Sequence, residues 1–153
     1  MRGFTLVETI IYTALISIII GGALVTVYQV LESNNALYNK IIVEQEANFL
    51  LRKFAWALSG VSSINLPVVG ATSSVLSINK INFPENPLVF DLNATDIRLK
   101  RGSQEPVILN AQNVKITNLV FQHLASVGSG PEAIKINLTV DSQTFSTVIY
   151  LRK

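Results

Sequence analysis

The sequence predicts an α+β protein in which one long N-terminal helix packs its outer half on an antiparallel β-sheet domain. Three observations carry this. Residues 9–31 form a run of 23 residues without a charged side chain. Residues 32–58 contain neither Pro nor Gly, and many of their apolar side chains recur every three or four positions. From residue 75 onward the apolar period falls to two, in short runs separated by turn residues.

At about 1.5 Å per helical residue the uncharged run spans roughly 35 Å, enough to cross a hydrocarbon core of about 30 Å. A single acid, Glu8, stands at its entry. A charge at the centre of a bilayer costs on the order of 2.5–3.5 kcal/mol on insertion scales, and less near the interface, so acids in such segments commonly mark function. Thr5-x-x-Glu8 also reads as a capping box, in which hydroxyl and carboxylate satisfy the first free amides of a helix. Further along, Ser17-x-x-x-Gly21 presents small residues that let another helix approach closely. The Gly21-Gly22 pair permits bending, although Gly is also an ordinary component of membrane helices.

The outer half of the helix, residues 32–60, places Val43, Ala47, Leu50, Leu51, Phe54 and Leu58 at spacings that define one buried face. Lys40, Glu44, Arg52 and Lys53 take the wet side, and Gly60 is a fitting stop. Residues 61–74, with Pro67, Gly70 and an Ala-Thr-Ser-Ser run, read as a linker. The β domain, residues 75–153, contains strand-like segments at 75–83, 87–93, 96–101, 106–109, 113–124, 133–141 and 145–152. Ile134, Ile136, Leu138 and Val140 alternate with Lys135, Asn137 and Thr139, as in a half-buried strand. Turns at Asn93-Ala94-Thr95 and Asp141-Ser142-Gln143-Thr144 make two hairpins, and links this short require antiparallel pairing.

Charge and composition narrow the function classes. Residues 32–153 carry 11 Lys and Arg against 9 Asp and Glu, a net of +2, too weak to attract nucleic acid or an acidic substrate by bulk field alone. There is no cysteine, so no disulfide holds the outer domain. Arg2 before the apolar run orients the N-terminus to the cytoplasm and residues 32–153 to the far side of the membrane. His123 is the only histidine and reads as a surface or cross-strand residue. No second histidine or lysine constellation is evident that activates one of the many Ser and Thr hydroxyls as a nucleophile. The acids lack the dense spacing of a calcium loop, and no Gly-rich phosphate loop is present. The expectation is a non-enzymatic protein with no catalytic residues, cofactor or metal. One basic cluster, Arg98, Lys100 and Arg101, lies at the end of a hairpin, with Ile97 and Leu99 on the face opposite Arg98 and Lys100. Its stronger reading is a charged edge strand that discourages aggregation. Contact with DNA phosphates is the weaker one, because such surfaces combine more charge with interleaved aromatics.

The N-terminal residues carry a resemblance. Gly3-Phe4-Thr5-Leu6-Val7-Glu8, preceded by Arg2 and followed by the long apolar run, resembles the processing site of type IV prepilins and type II secretion pseudopilins. The resemblance implies cleavage after Gly3 by a prepilin peptidase and N-methylation of Phe4. It implies a leader at residues 1–3, a membrane and assembly segment at 4–31, and an assembly role for Glu8, the fifth residue counted from Phe4. It also implies partners: other pilin or pseudopilin subunits, and an inner-membrane assembly platform. Many pilins have a proline where Val25 stands here, and many major pilins have a disulfide-closed loop. A long helix followed by an all-β domain is most similar to the J-type pseudopilins and W-type minor pilins. The expectation is therefore a minor pilin or pseudopilin of a type IV pilus, type II secretion or competence filament. The alternative is a membrane-anchored DNA-binding or adhesion module.

Overall fold

The computed structural model describes residues 5–126, 128 and 130–151. It contains two compact units, Met1–Ile41 and Ile42–Lys153, and one helix, α1 (Leu6–Leu58), contributes to both. In the first unit an 18-residue window of α1 reaches a mean hydropathy of 2.3, so the helix is long and apolar enough to cross a membrane. Apart from Glu8, which is half-buried, residues 5–35 are exposed. The helix runs through Gly21 and Gly22 without interruption. Its hydroxyls turn back on their own backbone: Thr9, Thr13, Ser17 and Thr26 each donate to the carbonyl four residues earlier, at 2.8–3.2 Å. An apolar surrounding requires such internal satisfaction, because it offers no water to a free hydroxyl.

In the second unit α1 buries Val43, Ala47, Leu50, Phe54, Ala57 and Leu58, the face that the sequence predicts with two amendments. Ala57 joins it, and Leu51 is only partly buried at its flank. The helix stops as expected, with Gly60 at φ 70°, a conformation that L side chains rarely adopt. No basic residue occupies the last turn of α1, and Lys80 supplies the cation from another element. Its Nζ donates to the Trp56 carbonyl at 2.6 Å and to Ser59 Oγ at 3.3 Å, and lies 4.5 Å from the Trp56 ring centroid. A cation there complements the negative end of the helix dipole. Burial pulls the Lys80 ammonium below the ordinary lysine pKa.

The helix packs on an antiparallel β domain, as predicted, and its strands divide into two sheets. The first has five strands in the order β1 (Val61–Leu66), β3 (Leu76–Lys80), β4 (Leu88–Asn93), β5 (Asp96–Arg101), β6 (Val107–Ile108). The second has four, in the order β2 (Thr72–Ser73), β7 (Ile116–Leu124), β8 (Ala133–Val140), β9 (Gln143–Tyr150). The predicted linker at 61–74 is therefore corrected: it holds β1 and β2, the edge strands of the two sheets. β1 escapes a period-two reading because only Val61 is fully buried and its register against β3 slips twice. The terminal hairpin is tighter than predicted. Val140 pairs with Gln143, so Asp141 and Ser142 alone make the turn, with Asp141 at φ 50°. The other hairpin closes in the same way, Asn93 pairing with Asp96 around Ala94 and Thr95.

The predicted strand at 113–124 starts only at Ile116, because Asn110 organises the preceding turn. Asn110 is buried, accepts from the Ile97 amide through Oδ1 at 2.8 Å and donates to the Val114 carbonyl through Nδ2 at 3.0 Å. Truncation to Ala leaves a buried N–H and C=O unpaired, each costing about 1–3 kcal/mol. Asn110→Ala should lower stability by about 2–4 kcal/mol, read as a shifted urea midpoint in detergent solution by the fluorescence of Trp56, the single tryptophan. An unchanged midpoint would show that the turn closes without this side chain.

Candidate functional site

Gly3 and Phe4 lie outside the described residues. The described part of the motif begins at Thr5, and there the capping box forms. Thr5 Oγ1 accepts from the Glu8 amide at 3.3 Å, and Glu8 Oε2 accepts from the Thr5 amide at 3.4 Å. The Thr5 hydroxyl is also 3.5 Å from the same carboxylate oxygen. Glu8 thus holds a fixed place on the first turn, where a carboxylate also complements the positive end of the helix dipole.

Ser17 and Gly21 belong to a longer series than their own spacing indicates. Thr5, Thr9, Thr13, Ser17 and Gly21 recur every four residues, and each of the three middle hydroxyls is tied to the carbonyl of its predecessor. Sequence reasoning stopped at Ser17 and missed Thr9 and Thr13, although the fourfold spacing is visible in the chain. The result is a ridge of small, internally satisfied side chains that starts at the Glu8 turn and winds about 160° around the helix. A Cβ added at Gly21 or Gly22 meets nothing within 4 Å. Closely packing helices in lipid use surfaces of this kind.

The basic cluster does not remain a free patch. Ile97 and Leu99 are buried and Arg98 and Lys100 face the other way, as the alternation requires. But Asp91 is paired across the ladder with Arg98 and grips it at both ends, Nε to Oδ1 at 2.9 Å and Nη2 to Oδ2 at 2.6 Å. This hydrogen bond, with the carboxylate's charge, holds the Arg98 guanidinium above its ordinary pKa. Arg101 Nη1 lies 3.7 Å from Glu85 Oε2. Only Lys100 of the three has no carboxylate partner among the described residues.

Of the two places expected for His123, surface or cross-strand, it takes the second. It pairs with Ile134 of β8 and is buried, with Nδ1 3.0 Å from the Pro67 carbonyl and Nε2 3.3 Å from Glu132 Oε2. A carbonyl only accepts, so Nδ1 carries a hydrogen, and the ring fastens the 67–71 segment to the ends of β7 and β8. The backbone reinforces this, since Gly70 donates to the His123 carbonyl at 2.8 Å. This places His123 as a clamp in the second sheet. Among the described residues no group of three or more His, Cys, Asp or Glu is placed to hold a metal ion.

Compared with family models, curated proteins and solved structures, the chain matches none.

Proposed function

We propose that this chain is a non-enzymatic, membrane-anchored minor pilin or pseudopilin. The observation that carries the reading is the Arg2-Gly3-Phe4-Thr5-Leu6-Val7-Glu8 motif set directly against 23 uncharged residues. Two features of the fold support it. A capped helix starts within the motif, and the same helix supplies the buried face of the β domain. Gly3 and Phe4 are read by a prepilin peptidase, the apolar segment stores the subunit in the inner membrane, and Glu8 contacts the first amine of a neighbouring subunit as helices bundle. The β domain lies outside the cytoplasm and contacts sibling subunits. A DNA-binding module is the weaker reading, because Asp91 and Glu85 engage two of the three cations on which it rests.

Processing is the direct test. In the cell of origin the mature chain should begin at Phe4 with a methylated amine, visible as an intact mass after membrane extraction. A mass that retains Met1 or Arg2 would overturn the reading. Replacing Gly3 with a bulky residue should leave the precursor inserted but uncut.

A further inference from the structure

The outer domain holds a groove of about 370 Å³ that the assembly reading does not use. One wall is a stripe of α1, Phe49, Arg52, Lys53 and Trp56, and the other includes Leu99 and Arg101 of β5. These helical positions are spaced by three, one and three residues, so they form one flank beside the buried face. The floor is apolar and aromatic, yet Trp56 is 42% exposed. The rim is cationic: among the described residues Arg52 and Lys53 have no carboxylate partner, while Arg101 is already paired with Glu85 at 3.7 Å. Outside that lining, Lys80 Nζ lies 4.5 Å from the Trp56 ring centroid, tied to the end of α1. Cations around a partly enclosed apolar floor focus a positive potential, and so select a ligand that is negative at its ends and apolar between them.

We propose that this groove binds a short acidic peptide segment of a partner chain, with one apolar side chain against Trp56 and Phe49 and flanking carboxylates on Arg52 and Lys53. Dimensions favour a peptide. Phe49 and Trp56 are seven residues apart on the helix, about 10 Å along its axis, which is the reach of about three residues of extended chain. Beside the groove β6 is the free edge of the five-stranded sheet, with Val107 and Ile108 exposed, a surface that suits an extended segment better than a compact anion. A nucleic-acid strand needs the charge to continue along the groove, and beside Arg101 its remaining wall is apolar, Leu99 and Leu109. The proposal does not rest on the pilin reading, since it uses only residues of the outer domain.

Trp56 is the only tryptophan, so its fluorescence reports on the groove directly. The full-length chain in detergent is titrated with the acidic peptide acetyl-EDFLE-amide. The basic peptide acetyl-KKFLK-amide, inorganic phosphate and a 12-nucleotide oligothymidylate serve as comparisons. The acidic peptide should shift the Trp56 emission saturably, and the basic one should not. Arg52→Glu, and Arg52→Glu combined with Lys53→Glu, should weaken the binding by about tenfold or more while leaving the urea midpoint in place. Equal response to both peptides, no saturation, or undiminished binding by the charge-reversed variants would overturn the proposal. Phosphate producing the same shift would make the groove a small-anion site. Saturation by the oligonucleotide alone would make it a nucleic-acid site. Either result refutes the peptide.

Discussion

Phe54→Ala should destabilise the outer domain by about 3–5 kcal/mol, the range for truncating a buried aromatic residue. The position justifies the upper part of that range. Phe54 is 0% exposed and stands edge-to-face with Phe90 at 5.1 Å and with Phe121 at 5.3 Å between ring centroids. Phe90 belongs to β4 of the five-stranded sheet and Phe121 to β7 of the four-stranded one. One side chain of the helix therefore ties both sheets to it, and each aromatic pair contributes about 0.5–1.5 kcal/mol beyond the area it buries. Removing the ring opens a cavity where three elements meet, and β strands locked by their ladders collapse poorly into it. Urea unfolding in detergent, followed by Trp56 fluorescence, measures the loss. A shift equivalent to less than about 1 kcal/mol would mean that the helix and the two sheets are held together elsewhere. Phe49→Ala, at a half-buried position on the flank, should cost less.

The contrast between Phe54 and Asn110 shows what the chain reveals by itself. Phe54 was legible because a helix repeats its buried face every three or four residues, so Val43, Ala47, Leu50 and Leu58 predict it jointly. The alternation of Ile134 to Val140 is equally local, as are the two hairpins around Ala94 and Asp141. Asn110 has no such company. Its worth comes from the Ile97 amide and the Val114 carbonyl, which only the folded chain brings to it. The same reason hides His123, whose partners Pro67 and Glu132 come from separate segments. It hides β2 as well, since two residues cannot display a period, and their pairing with Gln122 and Phe121 depends on distant chain. Division into two sheets follows from that long-range pairing. At the start of the helix the capping box was readable, because Thr5 and Glu8 stand three residues apart. The pairing of Arg98 by Asp91 was not, because their opposition is a matter of strand register.

Glu8→Gln should leave the subunit inserted and cleaved but sharply reduce its association with sibling subunits. The substitution separates two roles that the carboxylate combines. As a cap, Glu8 needs only an acceptor for the Thr5 amide, 3.4 Å away, and Gln provides one, so the start of the helix should survive. In the proposed assembly, the charge itself draws in the first amine of a neighbour within a bundle of low dielectric. Unit charges about 4 Å apart attract by roughly 4 kcal/mol at an effective dielectric of 20, and desolvation reduces the net gain. Even about 1.4 kcal/mol of net attraction is a tenfold change in association. A photocrosslinking side chain in place of Ile10, 60% exposed and within a turn of Glu8, reads that association in the cell of origin. Crosslinks to siblings should fall by about tenfold in the Gln variant, with the intact mass and the membrane fraction unchanged. Undiminished crosslinking would leave Glu8 as a cap and leave the bundling to apolar packing alone.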